Sequence, residues 1–142
     1  MTQLPKTADP LVIRTDFENQ QAWEKICDLI RAPVNEYGES FYACVEFLDL
    51  PESRNLSQEE VMKRVGPDYD HSFFMIVDST SVSDPEFPIL VVDLYAEPGR
   101  SFRAIPTQIQ SIENNLSISN MDFFEFADNV DKDGVFRDFP ES

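Results

Sequence analysis

"SFFMIVD", residues 72–78, is the stretch on which the fold turns. From Phe73 to Val77 every residue is apolar, so no side chain is available for a wet face. A strand with one solvated face alternates, whereas an unbroken apolar run fits a strand covered on both sides. "ILVVDLY", residues 89–95, repeats the pattern and gives a second central strand. The intervening "STSVSDPEFP", with its Ser, Asp and Pro residues, is expected to be a loop.

Upstream, Ser57 and Glu60 have the spacing of a capping box and open a short helix through "QEEVMKRV". Gly66 and Pro67 end it. "FYACVEFL", residues 41–48, is the strand before that helix. "LVIRT", residues 11–15, is an earlier one. It runs into a helix whose apolar stripe is Trp23, Ile26, Cys27 and Ile30. Thr15 with Glu18, or Asp16, is expected to cap that helix, and Pro33 to stop it. Residues 1–10 are polar and are expected to form a flexible arm.

Downstream, "EPGR" is a turn and "SFRAI", residues 101–105, an edge or hairpin strand. Pro106 then suits a first helical turn, and Ile109, Ile112 and Leu116 share a helix face. A second helix is expected in "SNMDFFEFADNV", capped by Ser119 or Asn120, and a last strand in "GVFRDF". The order is β-α-β-α-β-β-β-α-α-β. It implies an α/β fold, with α+β as the alternative, in which helices pack on one mixed sheet of about five or six strands. Residues 11–142 are expected to form one domain.

The formal net charge is −16, with 27 Asp and Glu against 11 Lys and Arg. This disfavours direct binding to nucleic acid or an anionic membrane and leaves basic proteins, cationic ligands and metal ions. The longest fully apolar run is far shorter than a membrane span, and the N-terminus lacks a signal-peptide core. Cys27 and Cys44 are too few for a zinc site and are expected to be reduced thiols in a cytoplasmic protein.

"VIRTDF" followed by Trp23, then "ILVVDL", "FRAIP", "NNLSISNMDFFEFA" and "DGVFRDF", resembles an uncharacterised bacterial family, a domain of unknown function. The resemblance spans residues 11–139, and its C-terminal motif is the more specific part. It implies a bacterial protein of one domain. It brings no activity, ligand or catalytic residue with it.

Two groups of residues could hold a metal. Asn129, Asp131, Asp133 and Gly134 occupy positions 1, 3, 5 and 6 of an EF-hand-like calcium loop. Position 12 is Pro140, which has no side-chain oxygen, and Glu141 falls one place late. The competing reading is an Asp-Gly turn leading into a strand. The second group is Asp16, Asp78 and Asp93, at the ends of apolar runs. If those ends converge, three carboxylates could hold Mg²⁺ or Ca²⁺ for phosphoryl-transfer or nuclease chemistry. The competing reading makes Asp16 a helix cap, Asp78 the start of a loop and Asp93 the partner of Arg14, Arg103 or Arg137.

Phe123, Phe124, Glu125 and Asp128 form a possible partner-binding face, because adjacent Phe residues cannot all point into one core. No nucleophile elbow, phosphate loop, dinucleotide fingerprint or Cys-x-x-Cys pair occurs. His71 is the single histidine. The first expectation is therefore a non-enzymatic, acidic interaction module that needs no cofactor. It would bind a basic protein as an inhibitor, immunity-type protein or adaptor. The alternative is a metal-dependent enzyme built on the strand-end aspartates.

Overall fold

The computed structural model describes residues 3–140. Strand β1 (Leu11–Arg14) leads to α1 (Gln20–Arg31). A small hairpin follows, β2 (Val34–Glu36) and β3 (Glu39–Phe41), and then β4 (Glu46–Leu48). Next come α2 (Gln58–Met62), β5 (Phe73–Val77), α3 (Ser79–Ser83), β6 (Ile89–Asp93) and β7 (Ser101–Ala104). The chain closes with α4 (Ile109–Ser117), α5 (Phe123–Ala127) and β8 (Val135–Phe136). Six strands form one mixed sheet in the order β4-β1-β5-β6-β7-β8, and β2 and β3 pair only with each other.

Strand β5 lies inside the sheet with every residue buried, as its unbroken apolar run requires. It is parallel to β1 and antiparallel to β6. Only β6 runs against the other five strands. On one face, Val12, Phe73, Met75, Val91, Phe102 and Phe136 pack against α1, α4 and α5. On the other, Leu11, Ile13, Phe74, Ile76 and Val92 pack against Val61 of α2, Leu4 and Tyr69. Leu4 is thus buried within the stretch expected to be an arm, and its N–H donates to the carbonyl of Arg64 at 2.7 Å. An aromatic cluster closes the β7–β8 side, where Phe102, Phe126 and Phe136 meet mainly edge to face.

Several local expectations are corrected. "FYACVEFL" is not one strand: Phe41 ends the hairpin, residues 42–45 are irregular, and β4 begins at Glu46. "STSVSDPEFP" is not all loop. Asp78 caps α3, accepting from the Ser81 N–H, while Ser81 Oγ accepts from the Asp78 N–H. Helix α1 is capped by Asn19 rather than by Thr15 or Asp16, because the chain must first clear the end of β1. Thr15 is buried, and its N–H donates to Val77 O at 3.0 Å, prolonging the β1–β5 ladder. Helix α5 is capped by Asp122, with the Glu125 carboxylate accepting from the Asp122 N–H, rather than by Ser119 or Asn120. The Ser57–Glu60 capping box is present as read.

Candidate functional site

The three strand-end aspartates do not converge. Strands β1 and β5 are parallel, so Asp16 and Asp78 follow their C-terminal ends at one edge of the sheet. Strand β6 is antiparallel and pairs Asp93 with Phe73, the first residue of β5. Asp93 therefore lies at the opposite edge. The sequence could not reveal this, because direction depends on pairing.

Each aspartate has partners of its own. Asp78 receives two hydrogen bonds from Arg103, at 2.9 and 2.7 Å. Burial pushes the Asp78 carboxyl upward, but the Arg103 bonds and charge outweigh it and hold the pKa below the ordinary carboxylate value. Asp16 Oδ1 accepts from the Glu18 N–H at 3.0 Å. Among the described residues, no arginine forms an ion pair with Asp93. Its two oxygens accept the N–H groups of Tyr95 and Glu97, at 3.0 and 2.8 Å, and so shape the turn between β6 and β7.

The calcium-like segment is a turn held by a cation of the chain itself. Arg137 donates to Asp131 Oδ2 and Asp133 Oδ2, both at 2.8 Å, and also to Glu86. These bonds keep the Asp133 and Glu86 carboxyls below their usual range. Gly134 takes a positive φ of 81°, and Asn129 Nδ2 donates to Glu125 O at 2.7 Å. Glu141 lies outside the described residues. Among the described residues, no three His, Cys, Asp or Glu side chains are placed to share a metal ion.

The proposed Phe face is also divided. Phe123 is buried, with its ring 5.1 Å from that of Phe102, while Phe124 is half exposed. Glu125 is occupied in the α5 cap, and Asp128 pairs with Arg100. Cys27 is buried, and desolvation pushes its thiol up to about 11, which leaves no reactive thiolate near neutral pH.

Two features stand out that the sequence reading missed. The first is the β2–β3 hairpin. Tyr37 and Gly38 turn it with φ of 53° and 77°, the two positive values that a type I′ turn requires. Tyr37 is 97% exposed, and Phe41 and Tyr42 are also exposed. Glu36 and Glu39 face one another directly across the pair. Between Arg31 and Arg54 the sequence has no cation but five carboxylates: Glu36, Glu39, Glu46, Asp49 and Glu52. The signal for this hairpin was present in "VNEYGESF", two short runs around a Tyr-Gly pair.

The second is a cleft of about 390 Å³ beside the β6–β7 turn. Leu116, Met121 and Phe123 give it an apolar wall, and Ser72, Asp93 and Asp122 add polar groups. Tyr95 also lines it, with its ring largely in solvent. Part of the wall comes from the "NNLSISNMDFFEFA" stretch that carried the resemblance.

A family profile described as Domain of unknown function (DUF6924) matches residues 9–139, nearly the whole chain. The chain belongs to this family. No protein of curated function matches the sequence. The DUF6924 match covers both the hairpin and the cleft. In this DUF6924 chain, no helix among the described residues is long and apolar enough to cross a membrane.

Proposed function

We propose that this protein is a non-enzymatic, acidic interaction module of the bacterial cytoplasm that binds a basic protein partner, as an inhibitor, immunity-type protein or adaptor. The observation that carries this reading is the β2–β3 hairpin. Two-stranded hairpins without a further sheet are marginal in water. This one sets like charges opposite each other at Glu36 and Glu39, an arrangement that destabilises a strand pair. It also leaves Tyr37 and Tyr42 in solvent. A cationic partner would relieve the carboxylate repulsion, and the aromatic rings would supply rigid anchors. The net charge of −16 would steer such a partner and repel nucleic acid.

A metal-dependent reading has less support, because Asp93 stands at the edge opposite Asp16 and Asp78.

The test is affinity capture from a bacterial lysate with immobilised wild type and with two variants, Tyr37→Ala/Tyr42→Ala and Glu36→Lys/Glu39→Lys. A basic protein should be retained by wild type, lost from both variants and released by salt. Retention that ignores the hairpin substitutions would overturn the reading.

A further inference from the structure

We propose that the cleft beside the β6–β7 turn binds a small organic amine, with its ammonium head against Asp93 and its apolar body along Leu116, Met121 and Phe123. The argument begins with Asp93, which is only 3% exposed. Its oxygens accept two backbone N–H groups, and no Lys, Arg or His among the described residues forms an ion pair with it. Arg100, whose carbonyl accepts the Asp93 N–H, turns its side chain to Glu97 and Asp128 instead. A buried carboxylate without a cation is unusual, since burial penalises an unpaired charge. Two N–H bonds leave lone pairs on both oxygens.

Glu113 is the other buried carboxylate among the described residues, and it accepts the Cys44 N–H. It does not line this cleft, whereas Asp93 does. Among the described residues no Lys, Arg or His lines the cleft either, so its charged lining groups, Asp93 and Asp122, are both negative. The Tyr95 ring stands at the rim, where an aromatic face attracts an ammonium group. The volume of about 390 Å³ lies within the range of small-ligand sites, and the mix of apolar wall and few polar groups is typical of them.

The test is an amide NMR titration of the full ¹⁵N-labelled chain with 2-phenylethylammonium chloride. The neutral near-isostere 2-phenylethanol and a tetralysine peptide are run in parallel at constant ionic strength. The amine should give saturable shifts confined to residues 93–97 and 119–123, and the alcohol should leave those amides in place. Tyr95→Ala, at an exposed position, should weaken amine binding roughly two- to fivefold. Asp93→Asn, where its spectrum shows a native fold, should remove saturation. Should that variant not fold, Tyr95→Ala and the alcohol decide the matter.

Equal shifts with the alcohol would overturn the proposal, as would amine shifts scattered without saturation over the acidic surface. Saturation by tetralysine with no binding of the free amine would assign the cleft to a protein side chain and overturn a small-ligand site. The hairpin reading fails or stands separately, because it is scored on hairpin variants.

Discussion

Asp78 shows how a single side chain can serve structure where its residue type suggests chemistry. It caps α3 and takes both of its charged hydrogen bonds from Arg103. Asp78→Asn should lower stability at pH 7 by about 1–3 kcal/mol, between the values for exposed and buried pairs. The sign of the pH dependence follows from the lowered folded pKa. The contribution is complete above the unfolded carboxylate value and is lost as pH falls through the folded one. The gap between wild type and variant in urea unfolding should therefore be wide at neutral pH and close in strong acid.

The two thiols separate just as clearly. Cys44 is exposed and Cys27 is buried with its pKa pushed up to about 11. A disulfide reagent at pH 8 should label one thiol in the native protein and the second only on unfolding. Tyr69 offers a third case. Its hydroxyl donates to Phe73 O at 2.7 Å and accepts from the Leu11 N–H at 3.1 Å. Tyr69→Phe leaves both backbone groups without that partner and should cost about 1–3 kcal/mol in chemical denaturation.

At the scale of elements, the central strands were legible and the small ones were not. β5 and β6 were visible because burial on both faces demands an apolar run, which composition alone displays. The stripe of α1 was equally plain, since Trp23, Ile26, Cys27 and Ile30 are all buried. Helix α3 was hidden because its residues are poor helix formers, and Asp78, Ser81 and the chain geometry override that preference. The hairpin buries little, so no hydrophobic period marks it, and its turn residues Tyr37 and Gly38 are its one local signal. The candidate residues fared worse than the elements: chemical type could be read, but strand direction, which separates Asp93 from Asp78, could not.

The hairpin also carries a prediction of opposing effects. Glu39→Lys places a cation across from Glu36 and should stabilise the strand pair by about 0.2–1 kcal/mol. Amide exchange at residues 35–40 should slow in that variant, while capture of a basic partner weakens.

Taken whole, the molecule is dominated by its charge of −16. Self-repulsion opposes the folded state, and salt screens it. Raising NaCl to about 0.5 M should therefore raise the Tm in a thermal melt, beyond what a near-neutral protein of similar size shows.

The sheet order has a further consequence, for the path of folding. The neighbours β5, β6 and β7 are also consecutive in sequence, so they can zip together across local connections, α3 and the β6–β7 turn. β1 joins this meander only when the chain has brought Met75 beside Val12, and β8 reaches Arg103 across the α4 and α5 crossover. Loop closure makes such distant pairings slow. The central meander is thus the natural nucleus. On the ribosome, the apolar strand β1 has only the short β4 to pair with until residues 73–77 have emerged.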